Sequence, residues 1–173
     1  MNVVDASGLV RVKIKYRIKE KGKYKNKTKN FKRNTPTDEI KKFMETLPDK
    51  SITTFQVTGH GDEDTINIDY TTGDYLSVSD GKLTAGDIDF TNTLKNKLAK
   101  DAKIHLKGCC TAKGDNNITK QVSMIFPNAS VKGADKDIYG PYDHPIDRLF
   151  KGDKSMSIMF NSAPSIYLNG VRQ

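Results

Sequence analysis

"ITTFQVTGHG", residues 52–61, decides the fold. A short apolar run rich in β-branched and aromatic residues leads straight into Gly59, His60 and Gly61. Such a run, bounded by glycine, reads as a short strand. The same form returns in "KIHLKGCC", residues 103–110, which stops at Gly108 and then Cys109. Between them, "TAGDIDFTNTLKNKLAK", residues 84–100, opens with Thr84 and Asp87 at capping-box spacing. It continues with Phe90, Leu94 and Leu98 on one helical stripe. Strands alternating with helices predict an α/β fold, a parallel sheet with helices on its faces. In such sheets functional residues gather at the carboxyl ends of strands. That is where His60 and Cys109 fall.

The rest of the chain fits around this unit. "TPTDEIKKFMETL", residues 35–47, offers a cap in Thr35 or Thr37, Pro36 in the first turn, and Ile40, Phe43 and Leu47 at helical spacing. "DEDTINIDYTTGDYLSVSDGK", residues 62–82, is polar and turn-rich and reads as strand pieces and loops. "ITKQVSMIF", residues 118–126, reads as a helix with Ile118, Val122 and either Ile125 or Phe126 inward. "ASVKGA" and "SMSIMFN", residues 129–134 and 155–161, read as further strands. There is no internal repeat or long linker, and 173 residues suit one domain spanning 10–173.

At the N-terminal end lies "RVKIKYRIKEKGKYKNKTK", residues 11–29, with Arg or Lys at every odd position. Val12, Ile14, Tyr16 and Ile18 occupy the first even positions, so residues 10–19 read as a strand with those four facing inward. Gly22 offers a hairpin turn, with 23–31 returning and the whole basic unit covering 10–33. Residues 11–33 hold twelve basic residues and one acid, Glu20, against a net charge of +8 for the whole chain, so the remainder sums to −3. This is one basic ribbon on a slightly acidic body. Its period of two is expected to put the charges on one face. Arg11, Lys13, Lys15, Arg17, Lys19, Lys21, Lys23 and Lys25 are the candidate anion-binding surface.

No apolar run approaches the ~18 residues that cross a bilayer. No charged segment followed by an apolar one opens the chain, so no signal peptide is expected. Cys109 and Cys110 are the only cysteines, and they are adjacent. A bond between neighbours would be strained, which points to thiols in a reducing compartment. They also lack metal-ligand spacing. His105 shares the direction of Lys107, and His144 in "YDHPID" reads as a loop histidine, so no metal site is expected.

A cysteine nucleophile needs a base that makes its thiolate, and donors for the developing oxyanion. His60 and Cys109 on neighbouring strand ends would supply acid–base catalysis and nucleophile. The amides of Gly61 and Cys109 are the natural oxyanion donors, and the flanking glycines would let a substrate approach closely. Set against this, a His-Gly dipeptide and a cysteine at a strand end are more often plain packing.

The order of these features resembles the caspase-like cysteine peptidases, the superfamily of caspases, metacaspases, separases, clostripain and bacterial CHAT domains. In these an apolar strand ends in His-Gly, and the next core strand ends in a small residue and cysteine. The CHAT resemblance includes a segment like leu-x-x-asp-gly-x-leu-thr-ala, matched by Leu76 to Ala85. The cysteine pattern leu-x-ala-cys-glu-thr-gly is matched by Leu106, Gly108, Cys109 and Thr111, with Cys110 and Ala112 replacing the acid and the final glycine. "GHGDED" and "LKGC" are also similar to the autoprocessing domains of large clostridial toxins. The resemblance covers residues 50–135. It implies a caspase-like three-layer sandwich, a mostly parallel central sheet with helices on both faces. It further implies a cysteine endopeptidase acting on a protein substrate, with His60 as general acid/base, Cys109 as nucleophile and Cys110 as a neighbour. The missing acid after Cys109 leaves substrate preference unread.

"NVVDASGL", Asn2–Leu9, is similar to the asn-x-val-asp-pro-x-gly-leu segment that closes the core of Rhs-type polymorphic toxins, with Ala6 in place of proline. That similarity makes residues 1–9 a remnant of an upstream core or linker and Met1 an expression start. It implies a secreted or delivered bacterial effector, acting in the target-cell cytoplasm and held in check by a cognate immunity protein.

Three readings of the ribbon stay open. It is a solvated edge guarded by lysines; or a surface for an acidic partner, such as an immunity protein, an anionic lipid surface or a polyphosphate activator; or a nucleic-acid surface. The last is the weakest, because single-strand binders interleave aromatic residues for stacking and only Tyr24 and Phe31 remain for that. The chemistry itself requires no cofactor. The rival to a peptidase is a binding module: a catalytically idle caspase-like fold, or a nucleic-acid binder working through the ribbon.

Overall fold

A computed structural model describes residues 10–32, 34–69, 71–135 and 165–173, with the backbone alone at Val10 and Arg11. Residues 1–9, His144 and the strand expected over 155–161 lie outside the described residues.

The basic ribbon folds as the expected hairpin. Strands β1 (Val10–Glu20) and β2 (Lys23–Lys32) are joined at Lys21 and Gly22, both with positive φ, 49° and 80°. Two successive positive φ values give a turn whose twist matches the strands it joins. Helix α1 (Thr37–Thr46) follows, then β3 (Ile52–Thr58). Next come four short strands, β4 (Thr65–Asp69), β5 (Asp74–Ser79), β6 (Lys82–Ala85) and β7 (Ile88–Asp89). Helix α2 (Thr91–Lys97) runs directly into β8 (Leu98–Lys107). Helix α3 (Ile118–Ile125), β9 (Ser130–Gly133), β10 (Ser165–Leu168) and β11 (Val171–Arg172) complete the described elements.

Seven strands form one sheet in the order β11-β10-β9-β8-β3-β1-β2. Its centre is parallel: β3 pairs with β8 and β8 with β9. Its flanks are antiparallel, because β1–β2 joins one side as a hairpin and β10–β11 the other. The α/β class is as expected, but the sheet is mixed rather than mostly parallel. The polar stretch after His60 forms a second, four-stranded antiparallel sheet, β4-β5-β6-β7. No helix among the described residues is long and apolar enough to cross a membrane.

Local sequence explains the helix ends. Helix α1 starts after Pro36, which stands at the N-cap without a side-chain bond; Thr37 is already helical and buried. Thr84 does not cap α2, because it lies in β6. The carboxylate of Asp89 accepts the amide of Thr91 at 2.7 Å instead. Leu98 is buried but opens β8 rather than closing the helix. Helix α3 is capped by Asn117, whose side chain accepts the amide of Lys120 at 2.9 Å. Ile118, Val122 and Phe126 are buried, and Ile125 is half-buried.

The core lies on one side of the large sheet. Val12, Ile14, Phe55, Val57, Ile104 and Val131 are fully buried there. Phe43 of α1 packs edge-on against Tyr16 and Phe31, with ring centroids 5.8 and 5.4 Å away. Helix α3 packs on β9, where a side chain at Gly133 would run into the hydroxyl of Thr119. The second sheet reaches the same side through Ile66, whose Cδ1 lies 3.0 Å from where a Cβ on Gly108 would stand. Among the described residues the covering elements therefore occupy one face of the large sheet, not both.

Candidate active site

The last rung of the β3–β8 ladder pairs Thr58 with Lys107. His60 and Cys109 each stand two residues beyond that rung. They therefore leave neighbouring parallel strands at the same level. The amide of Gly59 still donates to the carbonyl of Lys107 at 3.2 Å, so the two chains separate only after it. They stay in contact: a Cβ on Gly61 would stand 3.3 Å from the Cys109 carbonyl oxygen, and one on Gly108 3.1 Å from Gly61 Cα. His60 is exposed, while Cys109 and Cys110 are half-buried. The structure thus brings together His60, Gly61 and Cys109.

Buried hydroxyls hold the cysteine turn. Thr111 is fully buried and its hydroxyl lies 3.0 Å from the Leu106 carbonyl and 3.2 Å from that of Gly108. The same oxygen accepts the Ala134 amide at 3.1 Å. Thr119 donates to the Thr111 carbonyl at 2.6 Å, and the Ala112 amide reaches Ala134 at 2.8 Å. These bonds tie the turn after β8 to the end of β9 and the start of α3. Within that turn Cys110 takes φ +56°, a left-handed conformation costly for a residue with a Cβ. Thr111 enters the sequence only as part of the cysteine motif, and Thr119 carries no sequence signal of this role. A threonine next to a cysteine turn is the only sequence signal for such a bond network.

The acids after His60 are committed locally. Asp62 accepts the amides of Asp64 and Thr65 at 2.9 and 2.7 Å, closing a turn. Glu63 pairs with Lys113 at 3.8 Å, and its carbonyl accepts the Ile118 amide at 2.7 Å. The glycines also have a structural task. A side chain at Gly59 would strike the Asn67 carbonyl, and one at Gly108 would crowd Ile66. Both let β4 lie close over the strand ends, which is a packing reason for glycine. No group of three or more His, Cys, Asp or Glu side chains fit for a metal ion occurs among the described residues.

The basic ribbon departs from its expected geometry. In the hairpin register Ile14 stands opposite Lys29, Tyr16 opposite Lys27 and Ile18 opposite Lys25. Lys13, Lys15, Arg17 and Lys19 stand opposite Asn30, Thr28, Asn26 and Tyr24. The two-residue turn at Lys21 and Gly22 reverses the parity, so odd residues of β1 and odd residues of β2 lie on opposite faces. Lys23 and Lys25 thus lie on the face of Ile14, not with Lys13 and Lys15. The single-face anion surface of the sequence reading is split in two, and the Arg11 side chain lies outside what is described. Glu20 offsets part of the β2 set by pairing with Lys25 and Lys27, which holds its carboxyl below the usual range.

Residues 26–147 match the family model described as Domain of unknown function (DUF8616). The chain belongs to that family. The matched span takes in both His60 and Cys109 and begins inside β2, so β1 lies outside it. No curated protein and no solved structure matches the chain.

Proposed function

We propose that the chain is a cysteine endopeptidase of caspase-like type, with a His60–Cys109 dyad. The observation that carries this reading is the level exit of His60 and Cys109 from neighbouring parallel strands, with the backbones of Gly61 and Gly108–Cys109 in contact. In the proposed reaction His60 takes the proton of the Cys109 thiol, and Sγ attacks the scissile carbonyl carbon. The amides of Gly61 and Cys109 stabilise the oxyanion, which is the largest electrostatic contribution such sites make. His60 returns its proton to the departing amine, leaving a thioester on Cys109. A water then adds to the thioester with His60 as base, releasing the acid and restoring the thiol. No cofactor enters these steps; a polyphosphate would act only as an activator.

The resemblance of Asn2–Leu9 to the end of an Rhs-type core supports a delivered bacterial effector, acting in the target-cell cytoplasm and matched by an immunity protein. The second reading is an idle caspase-like module, favoured by the packing role of Gly59 and Gly108. Incubation of the purified chain with a peptide library, read by mass spectrometry, separates the two. Cleavage lost in both Cys109→Ala and His60→Ala supports the peptidase. Cleavage by neither wild type nor variants, in a folded protein with and without polyphosphate, supports the idle module.

A further inference from the structure

The face of the large sheet opposite the core carries a cationic patch that the β1 sequence shows only in part. Two rungs run straight across the sheet. One is Asn30–Lys13–Gln56–His105–Lys132–Ile166, and the other is Thr28–Lys15–Thr54–Lys103–Ser130. Strands lie about 4.8 Å apart, and alternate residues of one strand about 7 Å apart. Lys13, Lys15, Lys103 and Lys132 therefore frame His105 within a patch some 14 Å wide on the same spacing. Lys107, two residues further along β8, faces the same way. No acidic side chain occupies either rung. Asp101, two residues before Lys103, is engaged by Arg17 at 3.3 Å, and Asp135 by Arg172 and Ser165. Lys13, Lys15, Lys103 and Lys132 make no ion pair among the described residues.

The histidine at the centre of the patch shows that it lacks a partner there. The Nε2 of His105 is buried without a hydrogen-bond partner, which is costly. Burial first, then Lys107, Lys132, Lys103 and Lys15, pushes the imidazole down to about 4, so it is neutral at physiological pH. Burial, with Lys13 and Lys15, likewise lowers Lys107 below the ordinary ammonium range. An anion set against His105, Lys15, Lys103 and Lys132 would relieve the repulsion and give Nε2 a partner.

We propose that this face is the docking surface for an acidic protein, seated across β1, β3, β8 and β9 with its carboxylates on Lys13, Lys15, Lys103 and Lys132 around His105. The chemistry of the rungs favours a protein over the alternatives. The cations are separated by neutral donors and acceptors, Thr54, Gln56, Thr28, Asn30 and Ser130, which suit the mixed carboxylate and amide surface of a protein rim. No aromatic ring stands in either rung to stack a base, as single-stranded nucleic acid requires. The charges lie on β1, β8 and β9, with neutral β3 between, a span wider than one small anion. Lys15, Arg17, Asn26 and Thr28 of this face, with Thr53, also line an open cavity of about 470 Å³ at the hairpin end. This inference does not depend on the peptidase reading.

The test uses the full chain and fluorescein-labelled poly-L-glutamate, with single-stranded and duplex oligonucleotides of equal charge beside it. Binding is read by anisotropy at low salt. Two charge reversals of the same size are compared, Lys13→Glu with Lys132→Glu on the patch, and Lys23→Glu with Lys29→Glu on the other face of the hairpin. Circular dichroism verifies the fold, and Lys13→Gln with Lys132→Gln replaces the patch reversal if that variant unfolds. The patch variant should weaken polyglutamate binding at least about tenfold and the other-face variant no more than about threefold, since docked charges outweigh general attraction. Calorimetry in buffers of different ionisation enthalpy should show proton uptake on binding above about pH 4, where a nearby carboxylate raises the imidazole from its folded value, and none in His105→Asn. Equal losses in both variants, no binding of polyglutamate, or an oligonucleotide that alone depends on Lys13 and Lys132, would overturn the proposal.

Discussion

The two faces of the seven-stranded sheet are built from the same strands and follow opposite rules. On one face Ile14, Phe55, Ile104 and Val131 meet α1, α3 and the second sheet and exclude water. On the other, Lys15, Thr54, Lys103 and Ser130 share a rung and carry charge. Strand pleat alone produces this split, since alternate side chains point to opposite sides. The core face sets stability, the cationic face is the proposed docking surface, and the strand ends, where both faces stop, carry the proposed dyad.

The largest effects should come from the core face. Phe55→Ala or Ile104→Ala removes a fully buried side chain and should cost about 2–5 kcal/mol in denaturant unfolding, while Lys103→Ala should change stability by less than about 0.5 kcal/mol. Comparable losses on both faces would break the comparison. Gly133→Ala belongs with the large effects, because its methyl would collide with Thr119 beneath the cysteine turn. It should lower both stability and any cleavage.

Thr111→Val comes next. It keeps the shape but removes the bonds that join the cysteine turn to Ala134, and should cost about 1–3 kcal/mol. If the turn serves catalysis, turnover should fall further than stability does, measured below the melting range. Unchanged turnover in a destabilised protein would leave Thr111 a core residue only.

A smaller effect concerns pH. His105 has a folded value near 4 against an ordinary 6.5, so the unfolded chain binds its proton first. The folded state therefore loses stability as pH falls from about 6.5 toward 4, and regains nothing below, where both states are protonated. His105→Gln should flatten this part of the profile, measured by urea midpoint against pH. An unchanged slope would assign the titration to another group.

The strands were readable because their signals are local. Val12 and Ile14 alternate with cations, and "ITTFQVTGHG" and "KIHLKGCC" end in glycine, so β1, β3 and β8 were legible, as were α1, α3 and the hairpin turn. The placing of His60 and Cys109 just beyond neighbouring strand ends was legible for the same reason. What escaped depends on register. The parity switch at Lys21 and Gly22 put Lys25, Lys27 and Lys29 on the face of Ile14, and no periodicity count detects a turn that exchanges faces. The segment after His60 reads only as strand pieces and loops because Asn67, Asp69 and Asp74 are polar, yet those pieces pair into one sheet that buries Ile66, Ile68 and Leu76. Thr84 seemed a helix cap because its spacing to Asp87 fits one, but pairing with Asp89 drew it into β6.

The most direct test of the central reading is the rate at which a peptidyl electrophile labels each cysteine, located by mass spectrometry after digestion. The account predicts fast labelling of Cys109, lost in His60→Ala and retained in Cys110→Ala, with peptide cleavage following the same order. Labelling of Cys110 in preference, or labelling of Cys109 that ignores His60, would contradict it.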